Sequence, residues 1–187
     1  MLLLSVGLVL FIAVHLLPTN PDLRRSLVSR YGEAAYKGVF SIFALAGLVL
    51  MVIGWSKAKR VGLWTPPGWG RHATMALMLP VFPLLVMAYL PGRVSAALRH
   101  PMLAAVKLWA LAHLLVRGDS ASLILFLGLL AWAVYDRISL KAREATGLVT
   151  VKSGPAINDV VAIVVGLAIY AAFARWGHAY LIGVPLM

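Results

Sequence analysis

His113 lies deep in an apolar stretch, Pro101 to Val116, that opens directly after Arg99-His100 and also carries Lys107. An imidazole at membrane depth is costly to bury and marks a functional site by default. His15 lies near the end of another apolar run and is followed by Leu16-Leu17-Pro18. Two intramembrane imidazoles suit iron better than zinc. Zinc sites use three or four close ligands, whereas this chain has no HxxxH or HxxE spacing and no cysteine. Haem iron needs only one or two axial histidines in an apolar, aromatic pocket of the kind helix bundles supply. The plainer reading, histidines that hydrogen-bond between helices, stays open.

On the helix expected over Pro101–Val116, Trp109 and Ala110 fall one turn before His113 and share its face. Ala110 leaves room where a larger side chain would block a planar ligand. A 3.6-residue turn puts His100 and Lys107 on one stripe, with His113 on the opposite side. His100 and His113 are therefore not expected to serve one small site through a single helix face. His72, beside Arg71, and His178, after Trp176-Gly177, read as interfacial. The carboxylates (Asp22, Glu33, Asp119, Asp136, Glu144 and Asp159) all fall at span ends or in loops. Asp136-Arg137 and Arg143-Glu144 read as interfacial ion pairs. No Ser-His-Asp arrangement, phosphate-cradling glycine loop or paired-carboxylate site can be assembled.

The elements that must position these residues are set by composition. Of 187 residues, 62% are hydrophobic and only 12% charged, against about 25% charged in soluble domains. The mean hydropathy is +0.92. The solvent is lipid, and the expected fold is a single all-α domain, 1–187, a transmembrane bundle of about six helices. Six apolar stretches carry it: Met1–Leu17, Gly38–Trp55, His72–Leu90, Pro101–Val116, Ala121–Tyr135 and Val160–Phe173. Several fall short of the ~20 residues of a typical span and must borrow flanking residues or thin the bilayer. The fourth and fifth, separated by Arg117-Gly118-Asp119-Ser120, are expected to form a hairpin. Pro80 and Pro83 should kink the third. The first lacks a basic leader and a small-residue cleavage site, so it reads as an uncleaved span.

A net charge of +11 could suggest nucleic acid, but no basic helix or aromatic-basic stripe accompanies it. The cations lie between the apolar runs, where they set topology. Arg24, Arg25, Arg30, Lys37, Arg93, Arg99, Arg137, Lys141, Arg143 and Lys152 fall on one side. Lys57, Lys59, Arg60, Arg71, Arg117 and Arg175 fall on the other. That bias places both termini outside the cytoplasm. Trp55, Trp64, Trp69 and Trp176 sit at span ends as interface anchors.

Three pieces together resemble the NnrU family of bacterial membrane proteins. One runs from His15-Leu16-Leu17-Pro18 to Arg30-Tyr31-Gly32-Glu33-Ala34-Ala35-Tyr36-Lys37. Another is Arg99-His100-Pro101 with Lys107-Leu108-Trp109-Ala110-Leu111-Ala112-His113 and Arg117-Gly118-Asp119. The third is Tyr135-Asp136-Arg137-Ile138-Ser139-Leu140-Lys141 with Arg143. The resemblance implies a multi-pass protein of the bacterial inner membrane associated with denitrification and nitric oxide reduction. That family in turn looks like plant ζ-carotene isomerase, which uses haem b. The likeness implies His15 and His113 as axial ligands, with His100 and Lys107 meeting propionates or shaping the pocket. A cysteine that can ligate in the isomerase is Ala110 here, a departure that tells against ligand switching.

On this reading the partners are the lipid bilayer and either nitric oxide or an apolar polyene. A bis-histidine iron must release one ligand before either could bind. The charge bias puts His15 near the cytoplasmic end of its span, with His113 roughly 18–20 Å along a helix starting on that side. A shared iron then requires that helix to tilt or start below the interface. His15 with His100 is the other pair. Arg-His-Pro, with Arg137 and Arg143-Glu144, is also similar to isoprenylcysteine-type membrane methyltransferases, although their paired glutamates are missing.

Overall fold

Apolar runs become helices throughout. A computed structural model describes residues 1–186, and among these the only strand-like pairing is an isolated bridge between Gly62 and Asp119. The helices are α1 Leu2–Leu16, α2 Pro21–Tyr31, α3 Glu33–Lys57, α4 Gly70–Met78, α5 Val81–Tyr89, α6 Arg93–Leu98, α7 Pro101–Leu114, α8 Ser120–Ala145, α9 Ala156–Ala172 and α10 His178–Ile182. Five segments are long and apolar enough to cross a membrane: Leu2–Thr19, Glu33–Lys57, Gly70–Tyr89, Ser120–Ala145 and Ala156–Ile182. The sixth apolar helix, α7, has 14 residues. At ~1.5 Å per residue it spans about 21 Å, short of a ~30 Å hydrocarbon core.

Two local results follow from punctuation residues. The segment carrying Arg24, Arg25 and Arg30, counted above as a loop, is the helix α2. The Asn20 side chain caps it by accepting from the Leu23 amide at 3.1 Å, Pro21 fills its first turn, and Asp22 meets the positive helix end. Gly32, at φ +84°, then lets the chain turn into α3. The kink expected in the third span is a break: α4 ends at Met78 and α5 begins after Pro80.

The chain divides into two compact units, Met1–Pro66 with Arg117–Lys141, and Pro67–Val116 with Ala142–Met187. The fourth and fifth apolar helices, α7 and α8, thus belong largely to different units. In the first unit α1 and α3 run antiparallel with their backbones almost touching. A Cβ on Gly54 would stand 2.3 Å from the Leu4 nitrogen, and one on Gly7 2.6 Å from that of Met51. Gly47 would meet the Phe11 nitrogen at 2.8 Å. Lipid-solvated helices gain nothing from burying apolar area against each other, so such small-residue contacts hold them. Gly128 of α8 admits the Leu8 side chain in the same way.

In the second unit α5 is packed by α7 and α9. Val81, Leu84, Met87, Ala105 and Ala162 form its core, and Gly166 faces the Pro83 backbone. Polar side chains fasten it further. Thr74 Oγ1 donates to the Ala112 carbonyl at 2.7 Å, and the Tyr170 hydroxyl to that of Met75 at 3.1 Å. The Met75 carbonyl is available because the Leu79 amide, just before the proline break, bonds Ala76 instead.

Candidate functional site

His15 stands in an aromatic chamber within the first unit. Phe11, one turn earlier, stacks on its ring at 4.0 Å between centroids, while Phe40 of α3 and Trp132 of α8 meet it edge-on at 5.0 and 5.2 Å. Its Nδ1–H donates to the Phe11 carbonyl at 2.7 Å. A carbonyl only accepts, so the neutral ring carries its proton on Nδ1 and its lone pair on Nε2. Trp132 Nε1 is buried with no hydrogen-bond partner, and so is the hydroxyl of Tyr36. Tyr36 lies 6.5 Å from Phe40, ring to ring.

His113, in the second unit, repeats the arrangement one helix end later. Its Nδ1–H donates to the Trp109 carbonyl at 2.8 Å, and the Trp109 ring lies 5.2 Å away. A back-bond to residue i−4 is available to any histidine in a helix whose ring folds toward the preceding turn. It orients both rings and selects one tautomer. Ala110 is fully buried, so protein atoms fill the room its small side chain leaves.

Arg99 and His100 form a different kind of site. The chain reverses at Arg99, with φ +66° and ψ −55°, and the His100 amide bonds the Leu98 carbonyl at 2.8 Å. That is the strained, positive-φ form of the γ-turn. It aims both side chains at Glu144: the Arg99 guanidinium donates to Oε2, and His100 Nε2–H to Oε1. The carboxylate is only 7% exposed. Lys107 is half-buried on α7.

Of the residues expected to carry a site, His100, His113 and Lys107 lie in the second unit and His15 in the first. His72 is exposed, and His178 Nδ1–H donates to the Val184 carbonyl at 2.7 Å. No group of three or more His, Cys, Asp or Glu able to hold a metal occurs among the described residues. Sequence reasoning missed Trp132, Tyr36 and the reach of Glu144. The Tyr36–Phe40 spacing, one helical turn, was a signal for the second of these. Nothing local signals Glu144, which is 44 residues from His100. Asp159 was also read as a span-end charge. It is buried, and its Oδ2 accepts the Arg93 and Val94 amides at 2.7 and 3.1 Å, which caps α6.

Long apolar helices joined by short polar segments, with histidines and a carboxylate clamp set among them, define a multi-pass helical membrane protein. The chain belongs to the NnrU protein family, whose sequence model matches residues 3–186. No curated protein and no solved structure matches it.

Proposed function

We propose that the chain is a haem b-binding protein of the bacterial cytoplasmic membrane, acting in nitric oxide or denitrification metabolism. The observation that supports this best is the shared state of His15 and His113. Each gives its Nδ1–H to a backbone carbonyl, the second-sphere bond that fixes an axial imidazole and makes Nε2 the donor nitrogen. The surroundings of His15 supply the kind of lining a porphyrin takes: the aromatic rings of Phe11, Phe40 and Trp132 around the imidazole, and buried Trp132 N–H and Tyr36 O–H groups with no partner. Each of these histidines would offer its Nε2 to haem iron, which would supply a site for a diatomic ligand or for electron exchange. His100 Nε2 is held by Glu144 and would have to leave it to ligate iron; in place, with Lys107, it would serve the pocket's charge.

A second reading, a membrane methyltransferase, draws support from one observation. Arg99-His100 and Glu144, separate pieces of that sequence likeness, meet in the fold.

Protein purified in detergent after expression with ample haem precursor separates the two. A Soret band with a low-spin, six-coordinate spectrum before and after dithionite is expected. Absence of that band sinks the haem reading. His15→Ala and His113→Ala should each give five-coordinate or empty protein, while His72→Ala should leave the spectrum unchanged. An unaltered spectrum in folded His113→Ala removes that ligand and leaves His15 with His100. Six crossings, α7 included, would put both termini in the periplasm, and a C-terminal reporter active only in the cytoplasm would overturn that.

A further inference from the structure

At the polar end of the first hairpin a cavity of about 330 Å³ is bounded by Pro18, Arg24, Tyr36, Lys37, Phe40 and Ser41. Pro18 follows the end of α1, Arg24 comes from α2, and the other four from the start of α3. Three elements therefore converge there through the Asn20 cap and the Gly32 turn. Two cations face this space with one carboxylate between them: Glu33 meets Lys37 at 3.0 Å and Arg24 at 3.6 Å. A positive charge is left over. The Arg24 guanidinium also lies over the Tyr36 ring, 5.6 Å from its centroid. The Tyr36 hydroxyl is buried and has no partner. A buried O–H without an acceptor is costly, and a ligand oxygen would remove that cost.

Directly beyond, α3 turns an apolar flank outward, with Val39, Ile42, Phe43 and Leu45 exposed. Cations, an unsatisfied donor and aromatic walls thus adjoin a surface suited to hydrocarbon.

We propose that this cavity takes the anionic oxygen group of a membrane amphiphile, held by Arg24, Lys37 and the Tyr36 hydroxyl, with its apolar body on α3. Two sources have that chemistry: the phosphate of an anionic phospholipid, and the propionate edge of the porphyrin placed beside His15. The second is within reach because Phe40 both lines the cavity and touches the His15 ring. The anion site does not require haem to be bound.

The test uses four forms of the full chain: wild type, Arg24→Gln with Lys37→Gln, Tyr36→Phe, and Glu33→Gln. Native mass spectrometry follows retention of phosphatidylglycerol against phosphatidylcholine of the same acyl chains, and absorbance follows haem titration. Wild type should prefer phosphatidylglycerol. The double substitution should weaken binding about tenfold and Tyr36→Phe about threefold, as expected for charged and neutral hydrogen bonds. Glu33→Gln should strengthen binding, because it removes the competing carboxylate.

That ranking in the lipid arm assigns a phospholipid. The same ranking in the haem arm alone assigns the propionates. Wild type that takes no haem yet ranks the lipids overturns the haem reading and leaves the anion site standing. If neither arm gives the ranking, the proposal is overturned. It is also overturned if Glu33→Gln weakens binding like the cation variants, which would make the trio a structural ion pair. Tyr36→Phe and Glu33→Gln carry the test should the double variant fold poorly.

Discussion

The two units solve the same problem, cohesion without a hydrophobic drive, by opposite means. In the first, three glycines bring α1 and α3 so close that backbone packs on backbone. In the second, prolines interrupt the helices, and side chains from elsewhere take up the backbone groups set loose: Tyr170 on Met75, Asn158 on Pro91, Asp159 on Arg93 and Val94. Freed backbone groups in hydrocarbon must find protein partners. Uninterrupted helices can afford close contact, whereas broken ones need polar staples. The two histidines follow the same division. His15 is held among aromatic rings on an unbroken helix, and His113 sits at the end of a short one, beside the Thr74 staple on Ala112.

The contrast breaks most easily at Gly54. Gly54→Val should destabilise the first unit by about 3 kcal/mol, because a Cβ there meets backbone rather than a yielding side chain. Gly38→Ala on the same helix has open space and should stabilise by about 0.5–1 kcal/mol. Unfolding both in mixed micelles checks this; equal stabilities would mean that α1 and α3 do not touch.

In the second unit Asp159→Ala strips two amides of their acceptor and should cost about 1–3 kcal/mol. Asp159→Asn, which keeps one side-chain oxygen, should cost less. Amide exchange at Arg93 and Val94 would report the difference. No change in exchange would remove the staple from the account.

The smallest effect belongs to Asp119, a polar staple in the glycine-packed unit. Its side chain caps α8 through the Ser122 amide and hydroxyl at 3.0 and 2.7 Å. Burial alone would push its carboxyl up. The Ser122 hydrogen bonds and the Arg117 and Arg60 guanidinium groups outweigh that and hold it below its ordinary value of 3.8. A carboxyl lowered in the folded state stabilises fully above its unfolded value, and that stabilisation fades as pH falls through the folded one. Acid titration of wild type should therefore lose stability below about pH 4. Asp119→Asn should flatten that limb, and parallel limbs would show that other carboxylates set it.

The helices and the proline break were legible because hydropathy and missing amide donors act locally. The glycine seam was not read from the sequence: Gly47 and Gly54 recur seven residues apart, but that spacing does not say which helix they meet. The helical state of α2 was signalled by Asn20-Pro21-Asp22 but hidden by its charge, which suits a loop equally well. The clamp on Glu144 and the orphaned Trp132 and Tyr36 groups were not legible. They depend on which distant side chains arrive beside them, and no local period encodes that. The histidine tautomers sit between these cases: a helical position permits the i−4 bond, but only the rotamer decides it.

Arg99 is a position at which two demands collide. Its backbone has the dihedral angles glycine would adopt freely, at a cost of about 1–3 kcal/mol for any other residue. Its side chain is needed on Glu144. In landscape terms this is local frustration, tolerated because the surrounding contacts over-determine the turn. Arg99→Gly would relax the turn and take the guanidinium from Glu144 Oε2, leaving the carboxylate to His100, while Arg99→Lys would keep the strain and exchange the guanidinium for a shorter-reaching ammonium. No substitution satisfies both demands, so the arginine is fixed by the conflict itself.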